Sequence, residues 1–140
     1  MTGNLTFTMI KPDAVTDRHT GAIIEMIEKG GFEILALKMT RLSEGLAGQF
    51  YEVHRERPFY HDLCRYMSSG RIIAMILRKE NAVEDFRVLI GATNPEQAAE
   101  GTIRKRFARS LQSNAVHGSD SDENALREAS FFFSSLERYA

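Results

Sequence analysis

Between residues 5 and 9, apolar and hydroxyl-bearing side chains alternate: Leu5, Phe7 and Met9 against Thr6 and Thr8. That is the period of a strand, and Lys11-Pro12 stops it because proline has no N–H to give a ladder. From Gly21 to Lys29 the period lengthens. Ile23, Ile24 and Ile27 share one helical face, and Gly30-Gly31 end the helix. Phe32 to Met39 reads as a second strand. Ser43 is placed to cap a helix that brings Leu46, Phe50 and Val53 together. A further helical stretch runs from Pro58 to Met67 and stops at Gly70. Ile72 to Leu77 is apolar without a break, which predicts a central strand covered on both faces. Asn81 is set to cap the next helix, with Val83, Phe86, Leu89 and Ile90 inward. A loop rich in turn residues follows from Gly91 to Gly101, long enough to suggest function. After a turn at residues 102–107, a short strand ends at Ala115-Val116. A last helix, Asn124 to Phe133, carries Ala125, Leu126, Ala129, Phe132 and Phe133 on one face.

The order is β-α-β-(αα)-β-α-loop-β-α. Without the inserted helices it is βαββαβ, so the expected class is α/β of the α+β kind: a ferredoxin-like antiparallel sheet with added helices and a long loop. A chain of 140 residues predicts one domain, residues 1–140. Fold alone leaves function open. Net charge of −1 argues against a protein built to coat nucleic acid or an anionic membrane, while leaving room for a local cationic pocket. The single cysteine, Cys64, excludes an intrachain disulfide and a cysteine-based zinc cluster, and it fits a reducing cytosol. There is no basic-then-apolar leader and no apolar run of membrane-spanning length, so a soluble, cytoplasmic protein is expected.

The segment Asn114-Ala115-Val116-His117-Gly118-Ser119-Asp120-Ser121 holds the most chemistry. It places a histidine where an apolar run gives way to a polar, helix-starting stretch. Gly118 leaves room for a ligand or an unusual backbone angle. Ser119, Asp120 and Ser121 all suit a helix N-cap, with Glu123 in capping-box register to Asp120. Backbone N–H groups at such a junction receive anions, and an imidazole there can act as a nucleophile toward phosphorus. No G-x-x-x-x-G-K-[ST] or G-x-G-x-x-G occurs. His117, Ser119 and Asp120 match hydrolase-triad residue types, but they lie too close in sequence for that relay. His54 and His61 lack paired carboxylates and read as surface residues. Lys11 ends a strand and should project from the sheet edge. Arg104 belongs to a cationic run with Lys105 and Arg106, and Arg87 lies opposite the apolar face of its helix. Each alone reads as a solvated charge; together they are what a triphosphate would need.

Five blocks resemble the nucleoside diphosphate kinase family in order. They are Ile10-Lys11-Pro12-Asp13, Arg57-Pro58-Phe59, Gly91-Ala92-Thr93-Asn94-Pro95, Gly101-Thr102-Ile103-Arg104, and the segment from Asn114 to Ser121. The resemblance implies transfer of the γ-phosphate of a nucleoside triphosphate, mainly ATP, to nucleoside diphosphates by a ping-pong route through a phosphohistidine on His117. It implies that Lys11, Arg87, Arg104, Thr93 and Asn114 hold phosphates and sugar hydroxyls, and that Phe59 stacks on the base. Glu128 would orient the imidazole, with Tyr51 and Ser119 as supporting neighbours. Mg²⁺ would arrive on the nucleotide phosphates, with no metal site of the protein's own. The implied partners are nucleoside triphosphates and diphosphates and further copies of the chain, as a hexamer or tetramer; no membrane or nucleic-acid partner is expected. Arg71 and Lys105-Arg106 depart from common family residues, and the chain stops soon after Tyr139, which touches the oligomer more than the site. Two competing expectations share the fold: a histidine phosphocarrier indifferent to Phe59, and a catalytically silent oligomeric binding module.

Overall fold

The uninterrupted apolar run Ile72–Leu77 lies inside the sheet because both of its faces are covered. In the computed structural model, which describes residues 3–140, the strands are β1 (Leu5–Ile10), β2 (Glu33–Thr40), β3 (Ile72–Arg78) and β4 (Val116–Gly118). The helices are α1 (Pro12–Thr16), α2 (Thr20–Lys29), α3 (Glu44–Phe50), α4 (Tyr60–Met67), α5 (Ala82–Ile90), α6 (Ile103–Phe107) and α7 (Asp122–Phe132). The sheet order is β2-β3-β1-β4, and every pairing is antiparallel. This is the ferredoxin-like α/β arrangement that the element order predicts.

Strand period 2 sorts the core into two layers. Ile72, Ala74 and Ile76 of β3 join Phe7 and Met9 of β1 against Ala47, Phe50, Met67, Ala129 and Phe132. Ile73, Met75 and Leu77 face the other way, onto Ala14, Ile23, Ile27, Phe86 and Ile90. Burial of this kind stabilises by roughly 25 cal/mol per Å² of apolar surface removed from water. The alternation in β1 does not mark a wet face. Thr6 and Thr8 are as buried as Phe7, since β1 is an inner strand with helices on both sides.

Several local expectations need correction. Pro12 ends β1 and also opens α1, a helix the pattern does not predict; a first-turn proline loses nothing, because its N–H would be unpaired anyway. Ser43 caps α3 through Leu46 N, as expected. However, α3 ends at Phe50, so Val53 falls in a separate turn and is exposed, as are Leu46 and Leu126. Asn81 precedes α5 in a left-handed conformation (φ 56°), and its side-chain amide donates to Glu84 and caps no backbone group. Helix α7 starts at Asp122, two residues earlier than expected, and is capped by Ser121 and not Asp120; Ser121 Oγ accepts from Asn124 N at 3.1 Å. Among the described residues, no helix is long and apolar enough to cross a membrane.

Candidate active site

Residue His117 lies within β4 and not beyond it, paired with Met9 in the middle of three ladder positions. Its neighbour Gly118 has a different role from the one expected. Its backbone is not left-handed, but a Cβ there would sit 2.8 Å from Ile90 Cδ1 and 3.3 Å from Phe86. The glycine therefore allows close packing of β4 on α5.

The His117 ring touches Phe50 and Tyr51 edge-on, with centroids 5.5 and 6.4 Å away. Its Nε2 lies 3.0 Å from Glu128 Oε1, and the same oxygen accepts a 2.6 Å hydrogen bond from Ser119 Oγ. A carboxylate only accepts, so Nε2 carries the hydrogen and Nδ1 keeps the free lone pair. Burial pushes the Glu128 carboxyl up, but the His117 and Ser119 contacts outweigh it, and the group stays below its ordinary range. Glu128 is therefore ionised at neutral pH, opposite the nitrogen that must bear positive charge if Nδ1 forms a bond.

His117 opens into a cavity of about 580 Å³. Lys11, Tyr51, Phe59, Arg87, Thr93, Arg104, Asn114, His117 and Glu128 all line it, so the fold gathers nine of the ten residues singled out from sequence. The tenth, Ser119, is buried behind Glu128. Lys11 does not project from a sheet edge. It ends an inner strand, is buried, and donates from Nζ to Asn114 Oδ1 at 2.8 Å. Burial and the nearby Arg104, only partly offset by Asp13, bring its pKa down to about 8. Asn114 in turn donates from Nδ2 to Thr93 O at 3.4 Å, tying the long loop to the cavity.

Arg104 is no solvated turn residue. Thr102 caps the short helix α6, and the guanidinium is buried, donating to Gly91 O at 3.1 Å and Val116 O at 2.9 Å. Burial and Arg87 lower its pKa to about 10, so it remains charged at neutral pH. Arg104 Nε and Tyr51 Oη are buried without a partner. An orphaned polar atom costs about 1–3 kcal/mol, which a ligand oxygen would relieve. Burial also raises the Tyr51 hydroxyl pKa, with Glu128 adding to the effect, so it stays a donor.

At the mouth stand three exposed apolar side chains, Val53 at 74%, Phe59 at 47% and Leu111 at 60%. The sequence reading missed Leu111, along with Gln112, Asp120 and Arg127, which also line the cavity. It placed His54 on the surface, yet that ring is half-buried, lines the cavity and lies 5.5 Å from Phe59. An exposed leucine in a polar loop and a histidine five residues before Phe59 were the available signals. Lys11, Arg87, Arg104 and Arg127 bring positive charge to the cavity, and at the start of α7 Ser121 takes one of the first-turn N–H groups, that of Asn124. Among the described residues, no group of three or more His, Cys, Asp or Glu could hold a metal ion.

A cationic cavity, an imidazole with one unpaired nitrogen and an apolar mouth define a site suited to phosphoryl transfer on nucleotides. Residues 4–138 match the nucleoside diphosphate kinase family. The chain is 58% identical to the nucleoside diphosphate kinase of Flavobacterium psychrophilum, over 99% of this chain and 100% of that protein. It is 59% identical to that of Chlorobium limicola, over 94% of each. The Aquifex aeolicus nucleoside diphosphate kinase structure superposes with a TM-score of 0.95 at 43% identity, covering 96% of this chain and 98% of that one. A halophilic nucleoside diphosphate kinase from Halobacterium salinarum, in complex with CDP, gives 0.93 at 34% identity, covering 99% and 93%. The chain belongs to the nucleoside diphosphate kinase family, phosphotransferases that pass phosphate from nucleoside triphosphates to nucleoside diphosphates. The phosphocarrier and silent-module alternatives are not favoured by these likenesses.

Proposed function

We propose that His117 carries the transferred phosphoryl group. Its Nδ1 lone pair attacks the γ-phosphorus of a triphosphate such as ATP, and the bond from phosphorus to the bridging oxygen breaks. The diphosphate leaves with the electron pair. A second nucleoside diphosphate then attacks the same phosphorus through its terminal oxygen, the P–N bond breaks, and the neutral imidazole returns. Glu128, supported by Ser119, offsets the positive charge that appears on the ring between the two half-reactions. The observation that carries this reading is the His117–Glu128–Ser119 chain, which leaves Nδ1 unpaired in a side chain lining the same cavity as Lys11 and Arg104. Transfer of this kind needs positioning and charge neutralisation above all.

Within this reading Lys11, Arg87 and Arg104 bind phosphate oxygens, while Asn114 and Thr93 take phosphate or sugar hydroxyls. Tyr51 donates from its orphaned hydroxyl. The base stacks on Phe59, with Leu111 as a second apolar wall; a nucleoside diphosphate in the cavity accords with the CDP complex of the Halobacterium salinarum relative. Mg²⁺ bound to the triphosphate would supply further charge neutralisation. Asp120, the carboxylate lining the cavity apart from Glu128, is the group suited to its water shell. Residues 1–140 form one catalytic domain, in accord with a family match over residues 4–138. Leu37 and Met39, half-exposed on the edge strand β2, support a homo-oligomer, hexameric or tetrameric. A cytoplasmic location accords with the free thiol of Cys64.

The test is a two-step transfer. Protein incubated with γ-labelled ATP and freed of nucleotide should hold acid-labile, alkali-stable label, absent from His117→Ala, and should pass it to an added diphosphate. Stable label on Ser119 in an active enzyme would overturn the assignment.

A further inference from the structure

One buried carboxylate outside the proposed chemistry acts directly on the backbone that carries it. Ala115 has φ of 74°, a left-handed value that a residue with a Cβ adopts only under constraint. Val116 N donates to Asn114 O at 2.9 Å across it, so residues 114–116 form a strained γ-turn two residues before His117. Both peptide groups flanking Ala115 are held by one short segment. Lys11 N donates to Ala115 O at 2.8 Å, and Ala115 N donates to Asp13 Oδ2 at 3.1 Å. Asp13 is buried at the start of α1, and its other oxygen accepts from the Tyr66 hydroxyl at the end of α4.

We propose that Asp13, held by Tyr66, is a positioning residue for phosphoryl transfer: its carboxylate pins the strained turn at Ala115 and so sets Asn114 against Lys11 on one side and His117 on the other. This inference rests on the His117 reading above.

Without the clamp, the turn relaxes toward an ordinary conformation, and either the Lys11–Asn114 contact or the register of β4 shifts. The triphosphate keeps its other holds, Arg104, Arg87 and the apolar mouth, so the loss falls on the transfer step and not on binding. A displacement near 1 Å in a reacting constellation costs on the order of 10²-fold in rate. The clamp has an electrical consequence too. Lys11 shares its surroundings with Arg104 of α6, Arg87 of α5, Tyr51 after α3, His117 of β4 and Glu128 of α7. Asp13 is the negative group that offsets burial and Arg104 in holding its pKa near 8. Neutralising Asp13 removes that support and moves loss of the ammonium to lower pH.

The experiment compares Asp13→Asn and Tyr66→Phe with the wild type. Phosphohistidine formation from saturating labelled ATP is followed by rapid quench, with KM for ATP and the pH dependence of the rate measured alongside. Asp13→Asn keeps a neutral acceptor for Ala115 N but loses the charge; it should slow transfer by roughly three- to thirtyfold, change KM by less than about threefold, and move the alkaline limb to lower pH. Tyr66→Phe leaves the charge in place and removes two hydrogen bonds, the hydroxyl's donation to the Asp13 carboxylate and its acceptance from Asp13 N at 3.3 Å. It should slow transfer by roughly three- to tenfold with the alkaline limb unmoved. A lowered melting temperature with rate, KM and pH profile all unchanged would make the clamp purely structural and overturn the inference. Should Asp13→Asn fail to fold, Tyr66→Phe decides alone, an unchanged rate refuting the clamp. Absence of phosphohistidine from the wild type would instead remove the reading of His117 itself, a separate outcome from equal rates in wild type and variants.

Discussion

Removing the Glu128 carboxylate isolates the electrostatic part of the proposed chemistry. In the resting protein Oε1 accepts from His117 Nε2 at 3.0 Å and from Ser119 Oγ at 2.6 Å. Ser119 can turn to Phe7 O at 3.3 Å when Glu128 is gone, so its loss is small. The His117 N–H has no such second partner among the described residues. Before transfer, Glu128 meets a neutral ring; as Nδ1 bonds phosphorus, it meets a cation. The contact therefore strengthens toward the transition state, which is the condition for lowering kcat and not merely weakening binding. A hydrogen bond to a charged group contributes about 1.5–3 kcal/mol. Glu128→Ala should thus slow phosphohistidine formation by roughly 10–150-fold, at 1.36 kcal/mol per tenfold. Glu128→Gln keeps an acceptor of the same reach without the charge. Charged hydrogen bonds are about twice as strong as neutral ones, so about half the free energy survives and the loss is roughly four- to twelvefold. KM for ATP should hardly move, because Glu128 meets the ring and not the nucleotide. Rapid quench with labelled ATP measures the rate, and thermal melting checks that each variant folds. Rates within twofold of wild type for both variants, or a loss confined to KM, would refute this account of Glu128.

Three further outcomes follow from the same geometry. Lys11 has a folded pKa near 8, below its ordinary value, so the desolvated ammonium costs stability below pH 8 and ceases to do so as pH rises toward about 10.5. Lys11→Met should lose transfer activity yet gain melting temperature over wild type at pH 7, and that gap should narrow between pH 8 and 10.5; a gap independent of pH would refute it. Phe59→Ala should weaken adenine, guanine, cytosine and uracil nucleotides together, purines somewhat more, since stacking is worth roughly 1–3 kcal/mol per base and reads no base edge. Loss confined to one base in steady-state kinetics would reveal an edge contact. Gly91 has φ of 88°, and a Cβ there would lie 2.5 Å from Thr102 Oγ1. Gly91→Ala should therefore cost about 1–3 kcal/mol in chemical denaturation and lower activity, because Gly91 O also holds Arg104; unchanged stability would contradict the close approach.

The one-dimensional pattern determined whatever depends on neighbours in sequence. Period 2 in residues 5–9 and the unbroken run at residues 72–77 specified strands, and isoleucines three and four apart specified α2. The order of elements then left few topologies, because strands in this arrangement pair antiparallel in one sheet. Six of the expected cavity residues, Lys11, Phe59, Thr93, Arg104, Asn114 and His117, stand in the five family blocks, while Tyr51, Arg87 and Glu128 lie outside them and followed from the resemblance of the chain as a whole. What lay beyond was set by packing between distant segments. Lys11 read as an edge charge because nothing local says that β1 lies between β3 and β4. Arg104 read as part of a solvated run because its carbonyl partners, Gly91 and Val116, belong to other elements. The same holds for Gly118, whose neighbour Ile90 is far off in sequence, and for Leu111, Arg127 and His54 at the cavity. The clamp of Asp13 on Ala115 spans residues far apart in the chain, and the left-handed turn it holds runs against the local preference of alanine. Sequence period reports which face of an element is apolar; only closure of the sheet decides which polar groups are carried inside with it and must find partners there.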